Sequence, residues 1–190
     1  MRDDEFLRTK VPMTKQAVRA LCIDELDLAP VGEQTVLDIG AGTGSISIQI
    51  AKTHPAISVI AVEHTPAAVD IMTQNLTHFG LTNVTLIEGE APAVLPEQQF
   101  DRIFIGGSGQ ELTAIIAWSV AHLAPQGRLV MNFILMENAQ TALTACEQQA
   151  GLTDIRFCNM TVASWHALGQ GHYFKPNNPT LILSATRKED

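Results

Sequence analysis

Short runs rich in Val, Ile and Leu recur between residues 35 and 135, and segments with apolar residues three and four apart lie between them. The runs at 35–39, 57–62, 84–88, 101–105 and 128–135 are each short and bounded by turn residues, so all five are predicted to be strands. Val69, Met72, Leu76 and Phe79 share one helical face, with Thr65 at the N-cap position, Pro66 at the first helical position and Gly80 just past the end. Leu112, Ile115, Ile116, Ser119 and Leu123 repeat that spacing, as do Ala139, Ala142, Leu143, Cys146 and Ala150 ahead of Gly151. Val18, Leu21, Cys22 and Leu26 mark one more helix upstream of the first strand. Segment 45–51 is ambiguous by pattern, because Ile46, Ile48 and Ile50 alternate as a strand would; its place after a glycine loop makes it a helix. Strands alternating with helices predict βα units on a parallel core of five strands.

Beyond residue 150 the character changes. Segments 155–163 and 180–186 read as strands with no helical pattern between them, which predicts an antiparallel hairpin at the edge of a mostly parallel, seven-stranded sheet. The stretch 166–179 is rich in Gly, Asn and Pro, and long ordered loops of this kind often close over a site. Tyr173 and Phe174 are apolar for an idle connection.

A length of 190 residues with 46% hydrophobic content suits one domain spanning 1–190. The 20 acidic against 12 basic residues give a formal charge of −8, a poor match for a phosphate backbone, so nucleic acid is disfavoured as a partner. Cys22, Cys146 and Cys158 are odd in number and widely spaced, which suggests neither a disulfide framework nor a zinc site and fits a cytoplasmic protein. No apolar leader or membrane-spanning stretch is expected, given Arg2, Asp3, Asp4, Glu5 and Arg8 at the start.

The chemistry concentrates after the first strand, in Asp38-Ile39-Gly40-Ala41-Gly42-Thr43-Gly44. Glycines at alternate positions let a ligand approach the backbone. The dinucleotide fingerprint GxGxxG would need glycine at position 45, where this chain has Ser45. Asp38 would repel a pyrophosphate, but it suits the cationic ammonium of a methionine moiety. These two details favour S-adenosylmethionine (SAM) over a dinucleotide. Glu63 ends the second strand, about 20 positions beyond the first glycine, where nucleotide-binding units place a ribose ligand. It is expected to accept both ribose hydroxyls. Glu90 and Ala91, after the third strand, would flank the adenine. Taken singly, the glycines could serve a tight turn and Glu63 could be a solvated strand-end acid. Order, spacing and strand placement together favour the cofactor site.

Asp38 to Gly44 with Glu63 resembles the class I SAM-dependent methyltransferases, a Rossmann-like α/β fold. Three further stretches narrow the likeness: Asp4-Glu5-Phe6 with Val11-Pro12-Met13-Thr14-Lys15, then Gly106-Gly107-Ser108-Gly109, then 171–179, Gly-His-Tyr-Phe-Lys-Pro-Asn-Asn-Pro. Together they resemble the decarboxylating precorrin C-15 methyltransferases of cobalamin biosynthesis. That resemblance implies methylation of a meso carbon of a cobalt-precorrin-6B-type tetrapyrrole, loss of the carboxyl group of a ring acetate, a homotetramer, and a functional partner for the related C-5 methylation. Its cofactor site, carried over, is Thr14, Gly40, Ala41, Gly42, Thr43, Gly44, Glu63 and Ala91. The family often has Asp where this chain has Glu90. Thr14 also stands where it could cap the first helix, although Ala17 denies it a capping box.

Methyl transfer from a sulfonium is an in-line displacement with an activated leaving group, so alignment is the protein's main task. A conjugated macrocycle can absorb the electron pair left by decarboxylation, and no catalytic acid or base is assigned. The six histidines have no metal-ligand spacing, so no metal is expected. Lys15, Arg19, His172 and Lys175 are the candidate cations for substrate carboxylates. Gly107 and Ser108 stand where amine-methylating DNA enzymes carry an Asn/Asp-Pro-Pro-aromatic motif; they leave room for a flat acceptor, with backbone N–H groups for its carboxylates. Tyr173 offers that acceptor a ring and Lys175 a charge. A small-molecule O-methyltransferase and a non-catalytic SAM-binding scaffold are the alternatives.

Overall fold

The computed structural model describes residues 1–189. Five strands, β1 (Gln34–Ile39), β2 (Ile57–Glu63), β3 (Val84–Glu88), β4 (Phe100–Ile105) and β5 (Leu123–Phe133), lie parallel. β9 (Thr180–Arg187) inserts between β5 and β6 (Leu152–Met160), antiparallel to both, giving the order β3-β2-β1-β4-β5-β9-β6. The order reverses between β1 and β4, and a crevice opens at such a switch point beyond the carboxyl ends of the strands.

Alternation along the strands sends side chains to two faces. Val36, Val59, Phe104 and Val130 pack under α1 (Gln16–Glu25) and α2 (Ser45–Thr53). Leu37, Ile103, Ile105, Leu129 and Met131 pack against α4 (Leu112–His122) and α5 (Met136–Glu147). The helix α3 (Pro66–Phe79) starts after Thr65 and Pro66 as expected, and Gly80, at φ +62°, ends it. Segment 45–53 is indeed helical. Its isoleucine alternation carries no face information, because Ser45 to Ile48 are all buried, as are Ile50 and Ala51.

Four expectations need correction. β5 starts at Leu123 and ends at Phe133, and α5 stops at Glu147 instead of running to Ala150. Thr14 does not cap α1: the N-cap is Lys15, without a side-chain cap bond. The stretch 166–179 is not a loop. β7 (Ala163–Leu168) and β8 (Gly171–Pro176) form a separate antiparallel pair with every residue exposed. Among the described residues, no helix is long and apolar enough to cross a membrane.

Candidate active site

The glycine loop is shaped by backbone packing as much as by any ligand. Gly40, Gly42 and Gly44 all have positive φ, at +73°, +58° and +76°. A Cβ on Gly40 would lie 2.5 Å from the Gly107 carbonyl oxygen, and one on Gly44 would lie 2.8 Å from Met72 Cγ. At Gly42 the nearest atom is the Pro12 carbonyl oxygen at 3.4 Å. Only the middle glycine therefore faces open space, while the outer two let the β1, β4 and α3 ends close up. The Gly106 and Gly107 N–H groups donate to the Ile39 carbonyl at 2.9 and 3.3 Å. These two are committed to the fold, so the expectation that backbone N–H groups here serve acceptor carboxylates does not hold for Gly107.

Gly44 stands at the N-cap of α2 with no side chain to cap it. Asp38 does so from the end of β1, accepting hydrogen bonds from the Ser47 N–H at 3.2 Å and from the Ser47 hydroxyl. Burial pushes the Asp38 carboxyl up to about 6; the Ser47 hydrogen bonds oppose this and the Glu63 charge adds to it. Asp38 lines the cleft, so a cation placed there would relieve that penalty.

Glu63 is also buried, and its carboxylate ties the loop to the β2 end. It accepts from Gly42 N at 2.9 Å, His64 N at 2.9 Å and Thr65 N at 2.8 Å. A carboxylate has about four lone-pair positions, leaving room for about one more donor. The Thr43 hydroxyl is buried without a hydrogen-bond partner. An orphaned polar group of this kind fits a ligand's polar atom.

These groups line one cleft of about 1570 Å³, larger than the ~300–1,000 Å³ of a pocket for one drug-sized ligand. Thr14, Gly40, Ala41, Gly42, Thr43, Glu63 and Ala91 all line it, as do Gly107, Ser108 and Lys175. Gly44 does not, since it faces Met72, and Tyr173 does not, although it shares a hairpin face with Lys175. Of the candidate cations, Lys15 and Lys175 reach the cleft. Arg19 is fully buried and bonded to Asp3, Thr14 O, Met1 O and Gln49, while His172 stacks on Trp165 at 4.7 Å.

Four cleft or supporting residues escape sequence reasoning: Arg8, Lys10, Asn75 and Asn132. Arg8 and Lys10 lie in a segment with no periodicity, and Asn132 lines the cleft with a buried, unpartnered Oδ1. Asn75 had a signal. It occupies the buried face of α3 with Ala68, Ile71 and Met72, where a polar side chain needs a partner.

A sheet of this order, a glycine loop after β1 and an acid ending β2 define a class I methyltransferase-like fold. A SAM-dependent O-methyltransferase from Thermotoga maritima shares it, with a TM-score of 0.77 over 96% of this chain and 68% of that one; at 17% identity the likeness bears on the fold alone. The chain belongs to the precorrin methyltransferase family, whose domain matches residues 5–187. It is 43% identical to the cobalt-precorrin-6B C(15)-methyltransferase (decarboxylating) of Salmonella typhimurium, over 100% of this chain and 97% of that protein. It is also similar to a precorrin-6y C5,15-methyltransferase structure from Geobacter metallireducens, with 32% identity, a TM-score of 0.91, and coverage of 98% of this chain and 96% of that one.

Proposed function

We propose that this chain is a SAM-dependent C-methyltransferase of cobalamin biosynthesis. It methylates the C-15 meso carbon of a cobalt-precorrin-6B-type tetrapyrrole and decarboxylates a ring acetate, as the name of the Salmonella relative describes for that protein. The observation that carries this reading is a large cleft whose buried end holds two carboxyl groups, Asp38 and Glu63, beside the glycine loop. A buried acidic end suits a ligand with a sulfonium and an ammonium, and the remaining volume suits a macrocycle.

SAM, when bound, supplies an electrophilic methyl group. The chain's residues hold and align it: Asp38 faces the ammonium, Glu63 takes a ribose hydroxyl beside its backbone donors, and Thr43 offers its free hydroxyl. Thr14, Ala41 and Gly42 border the ligand, and Ala91 flanks the adenine. Gly44 acts at one remove, by letting α2 start against Met72. Gly107 and Ser108 leave space for the acceptor, with Lys175 and then Tyr173 towards its rim.

The exposed apolar side chains of the hairpin, Trp165, Leu168 and Phe174, support self-association, read from the family resemblance as a homotetramer. The protein acts in the cytoplasm, and C-5 methylation falls to a separate partner. The reading is tested by incubating the protein with SAM and cobalt-precorrin-6B while tetrapyrrole mass and released carbon dioxide are followed together. One methyl gained for each carbon dioxide released is expected. Methyl transfer without carbon dioxide, or SAM binding without any transfer, would overturn it.

A further inference from the structure

Before α1, residues 1–15 form a strap with one short 3-10 turn and no other regular structure, yet two buried side chains hold it in place. Asn75 accepts from Leu7 N at 2.8 Å and donates to Leu7 O at 3.2 Å and to the glycine-loop carbonyl of Thr43 at 3.1 Å. Arg19 donates to Thr14 O at 2.6 Å and Met1 O at 2.7 Å, and pairs with Asp3 at 3.1 Å. Phe6 and Met13 are buried beside these anchors. Residues 8–12 thus bridge two fixed points, and Pro12 lies against Gly42. Burying polar groups to fix an irregular segment costs desolvation and chain entropy, so what the segment presents is held in a defined place.

What it presents is charge. Of the 12 basic residues, Arg8, Lys10, Lys15 and Lys175 are the ones with no partner among the described residues, and all four line the cleft. Each of the others holds a carboxylate, a backbone carbonyl or, for Lys52, the Phe79 ring. Three of the four free cations sit on the strap. In a chain of net charge −8, concentrating the uncommitted cations at one mouth creates a local field against the global one.

We infer that the strap is the carboxylate-reading arm of the acceptor site, with Arg8, Lys10 and Lys15 setting specificity for a multiply carboxylated substrate. The inference rests on the proposed reading of the cleft and adds residues which that reading does not use. The strap engages the acceptor's peripheral carboxylates, while the acidic β1–β2 end is left to the cofactor.

The test compares wild type with a triple variant, Arg8→Gln, Lys10→Gln and Lys15→Gln, and with a control of equal charge change, Lys52→Gln, Arg156→Gln and Lys188→Gln. Turnover of cobalt-precorrin-6B is measured across ionic strength, SAM affinity by calorimetry, and folding by thermal melting. The strap variant should raise the tetrapyrrole KM about tenfold or more and flatten its salt dependence, with kcat and SAM affinity within about twofold. An unchanged KM, an equal rise in the control, or a matching loss of SAM affinity overturns the inference. A wild type that turns over no tetrapyrrole defeats the functional reading instead. The strap is then judged by fluorescence-detected binding of uroporphyrin: salt-sensitive binding that the strap variant loses upholds it, and binding that is absent or unaltered overturns it.

Discussion

At the β1–β2 end of the cleft, Asp38 and Glu63 are 1% and 6% exposed, and their carboxylates tie the end of β1 to α2 and the end of β2 to the glycine loop. On the β7–β8 hairpin no residue is buried, and Lys175 has no partner among the described residues. The two regions border the same space under opposite constraints. At the buried end a carboxylate that meets the ligand also holds the fold, so its loss is expected to weaken binding and stability together. At the exposed end a side chain can change with little effect on folding, so specificity for the acceptor can be varied there.

The largest effect that would sharpen this contrast is at Gly40. Gly40→Ala places a Cβ against the Gly107 backbone at positive φ, and should cost about 2–4 kcal/mol by chemical denaturation. Gly42→Val meets little besides Pro12, but its φ of +58° strains a β-branched residue by about 1–2 kcal/mol; it should stay folded at that cost while abolishing SAM binding in calorimetry. If Gly42→Val binds SAM normally, the loop is only a turn.

Glu63→Ala comes next. It leaves three backbone N–H groups without their acceptor and removes a ribose ligand, so melting temperature and SAM affinity should fall together, the affinity by about 1.5–3 kcal/mol. Lost stability with unchanged affinity would make Glu63 a purely structural acid.

Asp38 gives a pH signature. Its folded value of about 6 lies above its ordinary 3.8, so between these values the folded state binds more protons than the unfolded one. Its contribution to stability therefore declines as pH rises through that window and is level above it. SAM affinity should move the other way, strengthening several-fold as pH rises through about 6 and the carboxylate forms. Asp38→Asn should remove both trends. A SAM affinity flat across this range would separate Asp38 from the ammonium.

At the exposed end, Tyr173→Ala with Lys175→Ala should leave SAM affinity nearly unchanged and lower tetrapyrrole turnover. Lys175 should carry more of the loss, because it lines the cleft and Tyr173 does not. The stability change should stay within about 0.5 kcal/mol. Equal losses of SAM affinity and turnover would break the division between the two ends.

How far the chain announces all this differs by region for the same reason. β1, β2 and β4 are legible as short apolar runs bounded by turn residues and buried on both sides of the sheet, and α3 is legible because its faces differ in burial and Pro66 and Gly80 mark its ends. The α2 alternation misleads since both its faces are buried, and the β7–β8 pair is hidden since neither face is. The cofactor residues are readable because a motif ties them to strand ends. Arg8 and Lys10 become visible only when the strap is folded onto the cleft, and Arg19, a candidate for the acceptor, proves to be the strap's anchor. The glycines show a subtler gap: sequence identifies all three, but only packing separates Gly42, open to a ligand, from Gly40 and Gly44, which are filled by the protein.

Amide hydrogen exchange on the wild-type protein, with and without saturating SAM, tests the division of the cleft most directly. The account predicts slowed exchange in segments 40–45 and 63–65, which carry the glycine loop and the Glu63-bonded amides, and no change across 163–176. Protection confined to the hairpin, or a glycine loop indifferent to SAM, would contradict it.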